Sequence, residues 1–135
     1  VVNDAMMTSL PGVFAAGNVA AVFDLVDYVS QTGEKAAMGA AEFLKNGAAG
    51  ETVDATCGEN VSFVFPQKVR KDAKGRQIEL YLRVRQPLKG VTATVTCEGR
   101  TLYAKKHAVA NPPEMIAISF TPEAELTGPV VVDVK

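Results

Sequence analysis

The chain has 135 residues, 47% of them apolar and 21% charged, with a formal net charge of −1 at pH 7. That is one domain's length, and the near-neutral charge excludes an electrostatic case for nucleic acid or an anionic membrane. No apolar run reaches the roughly 18 residues of a membrane span and no basic segment leads into an apolar one at the start, so a soluble, unexported, cytoplasmic protein is expected.

Val13, Phe14 and Ala15 form an apolar triplet behind Pro11-Gly12, and Gly17-Asn18 follows them. The pattern predicts a short buried strand and then a sharp turn, which Gly17 makes without a Cβ clash. Asn18 then falls at the carboxyl end of a strand, where open α/β sheets hold their cofactors. The unpaired N–H groups that open the next helix favour anionic or carbonyl-rich ligands.

Val22, Leu25, Val26, Val29, Ala36, Ala37, Ala40, Ala41 and Leu44 recur at helical spacing and predict a helix over about 22–44. Asp24 and Asp27 sit favourably near its start. Gly33, Ala36, Ala37, Gly39, Ala40 and Ala41 give it a face of small residues that a sheet or second helix can approach closely. Gly33 is a point at which it kinks or splits, since a mid-helix glycine costs about 1 kcal/mol relative to alanine. The run NGAAGE, from Asn46 to Glu51, ends it.

Beyond Asn46 the pattern changes to β-branched alternation with turn signals about every ten residues, which marks a second structural unit. Strands are predicted over 61–65, 78–84, 91–97, 101–106, 115–120 and 130–134, with a hairpin through Glu98-Gly99. In the second of these, Ile78, Leu80, Leu82 and Val84 point one way and Glu79, Tyr81, Arg83 and Arg85 the other. The expected fold is mostly β, an immunoglobulin-like β-sandwich over 56–135 preceded by a strand, turn and helix over 1–50; a small open barrel is the alternative. Asp72 to Gly75 reads as a turn, and Pro112-Pro113 lies outside any central strand. The basic run Lys68, Arg70, Lys71, Lys74 and Arg76 reads as a solvated loop, with docking of an acidic partner as the functional alternative.

Cys57 and Cys97 are the only cysteines, and no C-x-x-C exists for zinc or redox chemistry. Two free thiols are expected, because a bridged sandwich has a tryptophan to pack on its disulfide and this chain has none. His107, the sole histidine, sits between Lys106 and Ala108 in a stretch read as exposed, and no metal site is expected on it.

Thr8, Pro11, Gly12, Val13, Phe14, Ala15, Gly17 and Asn18 match the pattern T-x-x-P-G-V-F-A-x-G-D, with Asn18 at the aspartate position. This segment resembles the last FAD-contacting motif of the pyridine nucleotide-disulfide oxidoreductase superfamily. The continuation Asp24-Leu25-Val26-Asp27-Tyr28-Val29 resembles a subgroup found beside anaerobic glycerol-3-phosphate dehydrogenase, which itself carries Gly-Asn at this turn. Pro66-Gln67 and Pro113-Glu114-Met115 match the β-rich extension of that subgroup, so the resemblance covers nearly the whole chain. It implies that Gly17 and Asn18 face the ribityl-phosphate side of FAD. An asparagine carbonyl oxygen can accept the hydrogen bond that the family's aspartate accepts. It further implies that amides of Val22, Phe23, Asp24 and Leu25 face the pyrimidine edge of the isoalloxazine.

The motif belongs near the end of the family's fold, the chain begins at Val1 without Met, and no G-x-G-x-x-G fingerprint is present. A C-terminal piece of a longer FAD-dependent, NAD(P)-linked oxidoreductase is therefore expected, with no catalytic group of its own and little FAD affinity when alone. Its β-unit is expected to dock a dehydrogenase subunit or form a homodimer. The alternative is a non-catalytic β-sandwich interaction module, and a secreted adhesin-like sandwich is a third reading that needs an export signal and a disulfide.

Overall fold

A computed structural model describes residues 1–47 and 50–135; Ala48 and Ala49, inside the expected helix-ending run, lie outside the described residues. The chain is mostly β, with two sheets and one long helix. The strands are β1 (Thr52–Cys57), β2 (Val61–Phe65), β3 (Lys68–Arg70), β4 (Ile78–Val84), β5 (Leu88–Cys97), β6 (Arg100–Ala110), β7 (Ile116–Phe120) and β8 (Val130–Val134), and the helix is α1 (Val26–Asn46). The larger sheet runs β3-β1-β8-β5-β6 and the smaller β2-β4-β7. All pairings are antiparallel except β1 with β8.

Period-two alternation places the core between the sheets. Ile78, Leu80, Leu82 and Val84 of β4 meet Val91, Ala93 and Val95 of β5 and Val130, Val132 and Val134 of β8 in one buried cluster. A bulge in β2 puts Ser62 and Phe63 in succession on the opposite side, so that Val61 and Val64 both face this cluster. The β5–β6 hairpin turns through Glu98 and Gly99, both at positive φ, as a two-residue hairpin turn of matching twist requires.

The other face of the smaller sheet is also covered. Phe65 and Tyr81 are fully buried there against Val2, Met6, Phe23 and Met115, with Tyr28, Val29 and Ala36 of α1 packed alongside. Three layers result: the larger sheet, the smaller sheet, and the N-terminal segment with α1. Tyr81 lies on the face opposite Leu80 and Leu82, as the alternation predicts, and is a core residue there.

Several expectations are corrected. Val13–Ala15 is not a buried strand: Val13 is 48% exposed, and only an isolated bridge joins Phe14 to Met7. The Thr8 N–H donates to the Val13 carbonyl and the Ala15 N–H to the Met6 carbonyl, which ties the triplet to the segment 2–8 and to neither sheet. The helix begins at Val26 rather than near Val22, because Leu25 is an extended N-cap residue (φ −123°, ψ 136°) and Phe23 is drawn into the second cluster. It runs unbroken through Gly33 and stops at Asn46, where the Gly47 N–H donates to the Phe43 carbonyl. The close approach permitted by its small face is made at Gly39 by Ala5 and Phe14, not by a sheet or second helix.

Strands β1 and β3 were not expected, and β1 opens at Thr52, ahead of the boundary at 56. Arg70 is no loop residue: it is buried in β3, with its guanidinium forked onto Asp4 and reaching Glu42 of α1. Arg76 adds two further bonds to Glu42. His107 is half-buried in β6, where its Nε2 has no hydrogen-bond partner among the described residues and burial, with Lys105 nearby, lowers its pKa. Both cysteines are free; Cys57 is exposed, and buried Cys97 donates its thiol to the Gly128 carbonyl at 3.4 Å.

Candidate functional site

Gly17, Asn18 and Val19 form a single 3-10 turn behind an extended Ala16. The Gly17 N–H donates to Thr32 Oγ1 at 2.9 Å, and that hydroxyl donates to the Val29 carbonyl at 2.8 Å. Thr32 is fully buried, so this relay fixes the turn against the second turn of α1. Asn18 Oδ1 accepts the Phe23 N–H at 3.5 Å, which folds the intervening residues into a short loop.

The loop is fastened from the other side by the β-unit. Phe23 is wedged edge-on between Phe65 and Tyr81, at 5.4 and 5.5 Å between ring centroids. Arg83 on β4 donates to the Val22 carbonyl at 3.0 Å and to the Pro113 carbonyl at 2.7 Å. The Asp24 carboxylate accepts the Met115 N–H at 3.1 Å and lies 3.9 Å from Arg83. Leu25, as N-cap residue, offers its carbonyl to the N–H groups of Tyr28 and Val29.

The backbone N–H groups of Val22, Asp24 and Leu25 have no hydrogen-bond partner among the described residues. They lie among exposed apolar side chains: Val19, Val22, Leu25 and Val26 are each at least half exposed. Among the described residues no group of three or more His, Cys, Asp or Glu could hold a metal ion.

The six residues singled out from sequence therefore share one loop but not one role. Gly17 and Asn18 spend polar atoms within the chain, Phe23 is a packing residue, Asp24 holds Met115, and Val22 and Leu25 are exposed. Arg83 and the Met115 amide were not singled out. Arg83 sits 61 residues along the chain from Val22, and no local spacing announces that contact.

A cavity lies elsewhere on the chain. It encloses about 220 Å³ between Met7, Phe14, Gly39, Phe43, Arg70 and Arg76, and includes none of the six residues. Its arginines are already bonded to Asp4, Glu42 and Asp72, leaving little free charge for a ligand. Tyr81 Oη is shared between Gln31 and Glu79, and Glu79 is ion-paired with Lys35, whose pKa burial lowers. These polar groups join α1 to the smaller sheet. No helix among the described residues is long and apolar enough to cross a membrane. Comparisons with known protein families, curated proteins and solved structures find no match to this chain.

Proposed function

We propose that this chain is the C-terminal part of an FAD-dependent, NAD(P)-linked oxidoreductase of the pyridine nucleotide-disulfide oxidoreductase superfamily. The observation that supports the reading is that the N–H groups of Val22, Asp24 and Leu25, three of the four amides that the motif resemblance assigns to the flavin ring, have no hydrogen-bond partner among the described residues, while the fourth, of Phe23, is taken by Asn18 Oδ1. FAD, when bound, supplies the hydride and electron transfer between NAD(P)H and an acceptor. In this reading Gly17 and Asn18 lie at the ribityl-phosphate side, where the second lone pair of Asn18 Oδ1 accepts from the ribityl chain while the first holds the Phe23 N–H, and the amides of Val22, Asp24 and Leu25 lie at the pyrimidine edge. The amides act as preorganised dipoles that need no reorganisation on binding.

In the same reading, the two sheets are an immunoglobulin-like sandwich that docks a dehydrogenase subunit or a second copy. The 135-residue chain alone lacks a glycine-rich fingerprint for the ADP half of the cofactor. Calorimetric titration of it with FAD is expected to give no binding. The complete gene product, purified without denaturant, is expected to carry stoichiometric FAD by visible absorption and to have a G-x-G-x-x-G segment ahead of these residues. A flavin-free complete product without that segment overturns the assignment and leaves a β-sandwich interaction module.

A further inference from the structure

We propose that Arg83 is a positioning residue: it clamps the Val22–Leu25 backbone and so holds the open amides in place for a planar, carbonyl-bearing ring. The ring-facing half of this inference rests on the flavin reading above.

The peptide that joins Val22 to Phe23 is held at both polar ends. Its carbonyl accepts from Arg83 at 3.0 Å, and its N–H reaches Asn18 Oδ1 at 3.5 Å. A peptide unit is planar, so fixing both ends fixes its orientation and limits the directions in which the flanking N–H groups of Val22 and Asp24 point. The side chains on either side of the next bond are also committed. Phe23 is buried between two rings, and the Asp24 carboxylate is bound to the Met115 N–H.

Arg83 connects these constraints, since its second nitrogen holds the Pro113 carbonyl at 2.7 Å, two residues before Met115. A guanidinium presents divergent donors in a rigid plane and can hold two carbonyls at once; a lysine ammonium has no such fixed fork. The consequence is that β4 and the loop before β7, rather than α1 alone, set the geometry of the Val22–Leu25 backbone. The β-unit thereby becomes part of the cofactor site without touching the cofactor.

The test compares Arg83→Ala and Arg83→Lys with the unaltered chain by amide hydrogen exchange. The N–H groups of Phe23 and Met115 are expected to exchange about tenfold faster in Arg83→Ala, the scale of one lost charged hydrogen bond, with the amides of β5 unchanged. Arg83→Lys is expected to restore part of the protection. Unchanged exchange at Phe23 and Met115 overturns the clamp whatever the fate of the flavin assignment. If Arg83→Ala does not fold, Arg83→Gln serves for the same readout. In the complete gene product, Arg83→Ala is expected to raise the FAD dissociation constant about tenfold, or about 1.4 kcal/mol, and to alter the visible circular dichroism of bound FAD. Equal affinity and an unaltered spectrum, with exchange accelerated, overturn the ring-facing half. A complete product that binds no FAD sinks the flavin reading and that half with it, while the exchange result still decides whether the loop is clamped.

Discussion

Phe23 meets Tyr81 edge-on, with 5.5 Å between ring centroids and 83° between ring planes. The geometry is the favourable one for a pair of aromatic quadrupoles, and it joins the N-terminal segment to the far face of the smaller sheet. Phe65 completes the contact at 5.4 Å from Phe23.

Replacing that wedge should therefore free the outer layer. Phe23→Ala is expected to cost roughly 3 kcal/mol or more, the usual range for emptying a buried aromatic site. Urea unfolding should show the loss, and amide exchange should place it in α1 and the loop ahead of it rather than in β5. An unchanged midpoint would mean that this cluster does not fasten the layer.

Two glycines of α1 should respond in opposite directions to the same substitution. At Gly39 an added Cβ would lie inside van der Waals contact of the Ala5 carbonyl oxygen and only 3.1 Å from Phe14, so backbone would have to move. At Gly33 an added Cβ meets nothing within 4 Å, and the residue is exposed. Gly33→Ala should stabilise by about 1 kcal/mol or less through helix propensity, and Gly39→Ala should destabilise. Thermal melts of the two variants check both signs.

Arg70 carries the ionic counterpart of the aromatic wedge. Its guanidinium bonds Asp4, whose side chain is only 3% exposed, and Glu42 on α1. Arg70→Met leaves the Asp4 carboxylate buried without its partner and is expected to cost roughly 3 to 5 kcal/mol. Asp4→Asn in the same chain should recover part of it, and a double-mutant cycle in urea measures the coupling. The hydrogen bond from Arg76, with Arg70 beside it, holds the Glu42 carboxyl below the usual range. Its folded pKa lies below its unfolded one, so its contribution is present above the usual glutamate value of about 4.5 and fades as pH falls through the folded value. Arg76→Ala should flatten stability against pH in that acidic window.

The strands that were legible in the sequence are those whose burial alternates along their own length. Ile78 to Val84, Val91 to Cys97 and Val130 to Val134 each send every second residue into one core. Strand β1 buries only Val53, and β3 is three residues long with a lysine and an arginine; β3 exists through pairing of Thr52 with Arg70 and Val53 with Val69, and β1 also through its parallel pairing with β8. The burial of Tyr81 and Arg70 was not legible because their partners, Phe23 and Asp4, are distant in sequence. The candidate loop was legible as a motif because Gly17 to Leu25 is contiguous. Its fastening by Arg83 and Met115 was not, since the sheet order brings those residues together and no spacing encodes it.

The pH behaviour of Tyr81 offers a test of the three-layer packing that leaves the residue in place. Burial, and then the neighbouring Glu79 carboxylate, raise the pKa of its hydroxyl well above the ordinary tyrosine value of 10. Burial likewise raises Tyr28, with Asp24 and Asp27 adding to it. A raised folded pKa means that the stabilisation is fully present below pH 10 and is lost as pH rises from there toward the folded value. Tyr81 should therefore stay protonated in the folded chain at pH 10 to 11 and ionise only as the chain unfolds. Absorbance titration should give the same number of ionised tyrosines at pH 10.5 in Tyr81→Phe as in the unaltered chain, with one fewer after unfolding. Early ionisation of Tyr81, in a chain still folded by far-ultraviolet circular dichroism, would mean that water reaches the face between the smaller sheet and α1 and that this layer is not closed.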